Sequence, residues 1–198
     1  MSGALTYQII TDRAELAPGN AAELQAAWDA LAANSGTPLL SFAWFRACAN
    51  TIHAADELRI VVVRQDGQVA AIAPLTVCHH DGRARLEILG TAHLYEPTGL
   101  LYSSTEALAF ALRCATRDGM PLCLLRIPEA DAIGGVVRAL PLRSGIRLIR
   151  GSAPSVFLEL GASWESFLER LSSSRRYDFR RKRKRAEALG TFTIEDVC

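Results

Sequence analysis

The chain has 198 residues, 49% of them apolar, with 22 basic and 21 acidic side chains and a net charge of +1. This composition excludes a disordered chain, and the length is enough for a domain with its own core. No stretch approaches the roughly 18 consecutive apolar residues of a membrane span, so none is expected. Met1-Ser2-Gly3-Ala4 has neither the basic lead nor the apolar core of a leader. Five scattered cysteines, Cys48, Cys78, Cys114, Cys123 and Cys198, form no C-x-x-C pair. The expectation is therefore a cytoplasmic protein with buried free thiols. Charge is uneven along the chain: residues 141–198 carry +5 and the preceding residues −4.

Leu5 to Ile10 reads as a strand. Leu24, Ala27, Trp28 and Leu31 fall at i, i+3, i+4, i+7, one apolar stripe of a helix. Ser41 caps a second helix with Phe42, Phe45, Ala49 and Ile52 facing inward. Three strands follow: Leu58 to Arg64, Val69 to Val77 and Arg85 to Leu89. Asp66-Gly67 and Asp81-Gly82 supply their turns. Pro74 cannot donate to a ladder, which implies an edge or a bulge. A polar and aromatic loop runs from Gly90 to about Ser103.

Ser103 and Glu106 have capping-box spacing ahead of a helix with Leu108, Ala111, Leu112 and Ala115 on its inner face. Leu122 to Arg126 is a compact strand, and Asp131 caps a short helix through Ile133, Val136, Val137 and Leu140. Ile146 to Ile149 and Val156 to Leu160 read as two more strands. The order to residue 160 is β-α-α-β-β-β-α-β-α-β-β, a mixed, largely antiparallel sheet flanked by helices.

Beyond it, Ser163 caps a helix with Trp164, Phe167, Leu168 and Leu171 at helical spacing. Ser174 caps a basic helix that ends at Gly190, and Thr191 to Val197 alternates like a fresh strand. The basic helix carries Arg175, Arg176, Arg180, Arg181, Lys182, Arg183, Lys184 and Arg185, and the only two lysines of the chain lie within it. Such a block serves as a solvated linker or as an anion-binding surface. Apolar residues are too few for membrane insertion, and no DNA-binding motif accompanies the cations, so nucleic acid is set aside. Cys78-His79-His80 points alternate side chains to opposite faces of a strand and has no second ligand cluster, so no metal is expected. His53 at a helix end is accounted for by the helix dipole. Trp28, Trp44 and Trp164 read as core or interface anchors. No G-x-S-x-G elbow, Walker loop or G-x-G-x-x-G occurs.

The element order resembles the GNAT acetyltransferase fold. Asp66-Gly67-Gln68-Val69-Ala70-Ala71-Ile72-Ala73-Pro74-Leu75 is similar to a hairpin of the cellulose-biosynthesis (CelD-type) GNAT family. So are Leu89-Gly90 with Leu94-Tyr95-Glu96-Pro97, Leu125-Arg126-Ile127-Pro128, and Ser163-Trp164-Glu165-Ser166-Phe167-Leu168 followed by Leu171-Ser172 and Arg175 to Gly190. The resemblance implies a GNAT-like domain over 1–161. Over 162–198 it implies linker helices and the first strand of a second, truncated module.

It also implies acyl transfer from acetyl-CoA or another acyl-CoA to an amine of a saccharide, envelope precursor or small molecule. A second GNAT-like half or a homodimer partner would complete the site. The glycine-rich loop that would cradle the CoA pyrophosphate is missing from Gly90–Ser103, which holds only Gly90 and Gly99. This half is therefore expected to be a degenerate module, inactive alone, with a non-catalytic scaffold or binding module as the alternative and anionic-polymer binding through Arg175–Arg185 as a more distant one. In such folds the loop lines a cleft, which makes Glu96, His93 and Tyr95 the candidate acid-base residues. Solvation of His93 and Glu96 is the competing account. Arg175, Arg176, Arg180 and Arg181 are the candidate anion- or substrate-binding residues.

Overall fold

The structure, a computed structural model, describes residues 3–33, 35, 37–91, 96–141, 146–151 and 161–191. The chain divides into two compact units, Met1–Arg150 and Gly151–Cys198.

The first unit is built on a six-stranded mixed sheet. β1 (Leu5–Ile10), β2 (Glu57–Gln65), β3 (Gln68–His80) and β4 (Arg83–Ile88) are successive antiparallel neighbours, and β6 (Leu122–Cys123) adds to β4 in parallel. The two hairpins depend on Asp66-Gly67 and Asp81-Gly82, whose φ values are all positive, from 50° to 82°. Backbone of that hand matches the twist of the flanking strands, and Asp-Gly adopts it with little strain. β2 lies between two neighbours, and Leu58, Ile60, Val61, Val62 and Val63 are fully buried. Both of its faces are covered, which is why its sequence is an unbroken apolar run rather than an alternation.

Helices α1 (Ala22–Ala32), α2 (Phe42–Asn50), α3 (Thr105–Ala115) and α4 (Ala132–Ala139) flank the sheet. Trp28 of α1 is fully buried against Phe42 and Phe45 of α2, and its indole N–H donates to the Leu40 carbonyl. Ser41 caps α2 and Asp131 caps α4 through side-chain oxygens, as their sequences predict. The segment after α2 brings Asp56 to Cys78, which shares a sheet face with Thr76 and Leu58. Arg59, on the opposite face, pairs with Asp118 beyond α3. The ends of α2 and α3 thus cover opposite faces. The mixed, largely antiparallel sheet flanked by helices is the architecture expected from sequence.

Several details differ. Pro74 lies neither at an edge nor in a bulge; the β2–β3 register shifts at Val63/Arg64, where Ala70 of β3 is the extra residue. β3 pairs with β4 through Leu75–His80 and with a two-residue strand, β5 (Leu101–Tyr102), through Ala71–Ile72. β5 continues the line of β4 along the same side of β3. Pro74 falls in the break between them, where its carbonyl accepts the Leu89 N–H and no donor is required of it. The α3 cap is Ser104 rather than Ser103, because Ser103 is held by its N–H and hydroxyl on the Ala70 carbonyl.

β6 stops at Cys123 instead of Arg126. Arg126 takes a left-handed φ of 57°, and its carbonyl accepts the Thr98 N–H. Residues 146–149 form no strand; Ile146 is 93% and Leu148 68% exposed. Ile52 lies past the end of α2 and faces outward. The strands expected at Val156–Leu160 and in Thr191–Val197 lie outside the described residues, apart from Thr191, which is in no strand.

In the second unit, α5 (Trp164–Glu169) is opened by a reciprocal cap between Ser163 and Ser166 and ends before Leu171. α6 (Ser173–Glu187) is capped by Ser172, two residues earlier than expected. Phe179 packs edge-on against Trp164 and Phe167, which are tilted against each other; with ring centroids 5.3–6.3 Å apart, the three join the two helices.

Candidate functional site

The sheet face on the α2 side turns polar at one end. Thr76, Cys78 and His80 of β3 stand opposite Glu87, Arg85 and Arg83 of β4, and Cys123 of β6 stands opposite Glu87. Glu87 is 1% exposed. A carboxylate at that depth needs charged partners. Arg85 donates Nε to Oε1, and His80 Nε2 lies 2.9 Å from the same oxygen. Oε2 is buried and has no hydrogen-bond partner among the described residues. β4 and β6 pair through Leu86–Leu122 and Glu87–Cys123, so Glu87 is the last β4 residue paired with β6. Past that point Arg126 reaches across to the Thr91 carbonyl.

Sequence reasoning passed over Glu87 because it was absorbed into a strand. The available signal was a lone acid among Leu86, Ile88 and Leu89, in the half of the strand that is fully buried.

Beside it sits a second cluster. Ligand atoms of His53, Asp56 and Cys78 lie within 4.8 Å of one another, a spacing that could serve a metal. The chemistry of the donors argues otherwise. The Gly90 N–H donates to His53 Nε2 at 2.9 Å, so the ring proton sits on Nδ1 and is donated to Asp56 Oδ2 at 2.7 Å. Burial above all, then the Glu87 and Asp56 carboxylates, push the Cys78 thiol up to about 12. Both imidazole nitrogens are committed and the thiol holds its proton, so the set is not in ligand form near neutral pH. Its evident work is to fasten the segment after α2 to the end of β4. Arg13 reinforces the fastening by donating to the carbonyls of Ala49, in the last turn of α2, and of His53 and Asp56 beyond it.

Of the loop residues marked from sequence, His93 and Tyr95 lie outside the described residues. Glu96 is exposed and borders a cavity of about 10 Å³ shared with Leu39, Trp44, Leu89, Gly90, Thr91, Pro97 and Thr98, room for about one water. The turn into α3 is not the long loop expected. Because β5 occupies Leu101–Tyr102, only Ser103 and Ser104 separate strand from helix. Ser104 Oγ accepts the Ala107 N–H, and Glu106 adds negative charge to the first turn. A helix N-terminus that receives phosphate needs free N–H groups and close backbone approach. Here a side chain and an acid already occupy that place.

The marked arginines lie on α6. Arg175, Arg180 and Arg181 are exposed, Arg176 is half-buried and donates to the Glu169 carbonyl, and Arg181 pairs with Asp178 at 3.0 Å. Arg175, Asp178, Phe179 and Lys182 recur at i, i+3, i+4, i+7 and line an open groove of about 240 Å³. Among the described residues, Arg175 and Lys182 have no ion-pair partner.

No protein-family model matches the chain, and no curated protein matches it. Among solved structures it is similar to the aminoglycoside N-acetyltransferase AAC(6')-Iy in complex with CoA. The identity is 16% and the TM-score 0.40, over 78% of this chain and 98% of that one. No helix among the described residues is long and apolar enough to cross a membrane.

Proposed function

We propose that the chain serves acyl-CoA-dependent N-acyl transfer as a GNAT-type module that takes the amine acceptor, with Glu87 as the base. A primary amine at neutral pH is an ammonium ion and must lose a proton before it attacks a thioester. A carboxylate held in a dry, polar sheet face both attracts the cation and accepts that proton. The observation that carries this reading is the buried, orphaned Oε2 of Glu87, the last β4 residue paired with β6. Arg85 and His80, 35% and 44% exposed at their side chains, lie over the carboxylate, so an acceptor reaches it by displacing side chains and not the sheet.

The donor's diphosphate is not received at α3, which Ser104 and Glu106 close, so another element completes the donor site. That closure equally favours a second reading, a non-catalytic GNAT-like scaffold. Titration of the chain with glucosamine and with N-acetylglucosamine, followed by NMR, separates the two. An acceptor module binds the free amine at least tenfold more tightly than the acetylated sugar and loses the preference in Glu87→Gln. Equal affinities, or no binding of either sugar, would leave the scaffold.

A further inference from the structure

We infer that the groove on α6 binds the adenosine bisphosphate end of the acyl donor. The inference rests on the acyl-CoA reading above.

Three observations meet there. First, the Phe179 ring is 41% exposed yet held edge-on by Trp164 and Phe167, which leaves a fixed aromatic surface on which a purine can stack. Second, Arg175 and Lys182 stand seven residues apart on one side of the helix, about 10 Å along its axis, with Phe179 between them. Cations at both ends of an aromatic surface suit a nucleoside phosphorylated at two positions. Arg175 brings a planar fork for a phosphate and Lys182 a point charge. Asp178 completes the groove with a carboxylate that can accept from an amino group or a ribose hydroxyl.

Third, the first turn of α6 holds Arg175 and no acid, against the preference of a helix dipole for negative charge at its N-terminus. The Ser172 hydroxyl already takes the Arg175 N–H, so an anion there is held by the Arg175 side chain, whose charge it offsets. The volume of about 240 Å³ falls just below the roughly 300–1,000 Å³ of sites that enclose drug-sized ligands. The groove is open to solvent and too small to enclose a whole CoA.

The test is calorimetric titration of the 198-residue chain with adenosine 3',5'-bisphosphate, with acetyl-CoA, inorganic pyrophosphate and a single-stranded oligonucleotide in parallel. Saturable binding of the bisphosphate is expected, with acetyl-CoA within a few-fold of it and pyrophosphate at least tenfold weaker. Arg175→Gln combined with Lys182→Gln should weaken the bisphosphate about tenfold or more, and Phe179→Leu by a similar factor. The double variant leaves the aromatic contacts intact, so it decides the matter even if Phe179→Leu disturbs the packing of α5 on α6.

Absence of bisphosphate binding would overturn the inference. So would pyrophosphate binding as tightly, which would mark a general anion surface, or an oligonucleotide binding more tightly, which would mark a polymer site. Glu87→Gln should leave bisphosphate affinity unchanged, so failure of this site and failure of the acceptor reading are told apart.

Discussion

Glu87 and Cys78 are diagonal neighbours on one face of the β3–β4 pair, and each makes a separate demand on experiment. A buried ion pair is often neutral or unfavourable beside an apolar substitute of similar volume. If Glu87 is kept for chemistry, Glu87→Leu should melt within about 1 kcal/mol of the parent, because Arg85 and His80 can turn to solvent. The amine preference should vanish all the same. A loss of several kcal/mol would instead make the carboxylate part of the scaffold. Cys78, with its thiol pushed from 9.0 up to about 12 by burial and then by Glu87 and Asp56, should be nearly inert. At pH 8 its alkylation by iodoacetamide should run roughly a thousandfold slower than in the unfolded chain, since only the thiolate reacts. Peptide mapping of the alkylated protein gives the comparison directly. At this scale the sequence conceals the site. A carboxylate inside a strand becomes conspicuous only when its cross-strand neighbours are known, and those are set by hairpin register rather than by adjacency.

Local chemistry made much of the element structure legible. Asp66-Gly67 and Asp81-Gly82 gave the hairpins, Ser41 and Asp131 gave two helix starts, and the stripe of Leu108, Ala111, Leu112 and Ala115 is the buried face of α3. What escaped is β5. Two residues have no periodicity, and their strand character comes wholly from Ala71 and Ile72 on β3. With β5 missed, the expected cap of α3 falls one serine early and the loop before it reads as unbroken from Gly90 to about Ser103. Ser104→Ala should cost about 1 kcal/mol in chemical denaturation, the usual worth of an N-cap.

Tyr102, at the end of β5, donates to Asp131 Oδ1 at 2.7 Å. Burial, then that carboxylate, push its phenol up to about 12. The folded chain therefore keeps this proton across the range from about 10 to 12, where the unfolded chain releases it. The contribution is fully present below about pH 10 and is lost as pH rises toward 12. Denaturation midpoints should fall over that window, and less steeply in Tyr102→Phe. Cys78, raised in the same direction, accounts for part of the remaining slope.

Across the whole molecule the two units differ in how much they bury. The described core runs through β1–β4 and α1–α3, whereas in the second unit Phe167 is the one buried apolar side chain among the described residues. Amide hydrogen exchange should therefore be slowest in β2 and β3, at the global unfolding rate, and fast throughout α6. Comparable protection in α6 would require burial beyond that described. The fold class was readable because a meander followed by crossover helices admits few arrangements. That residues 146–149 form no strand was not, since Ile146 and Leu148 have strand-like sequence but are exposed among the described residues.

Pro74 carries one more consequence. Its carbonyl points to the β4 side and its missing donor falls in the single step where that side has no ladder. If β3 slipped by one residue during folding, the proline would turn toward β2, where its neighbour needs a donor. If it slipped by two, it would stand against β4 or β5. A ring without an N–H thereby disqualifies the misaligned sheets and makes the thirteen-residue strand assemble in one alignment.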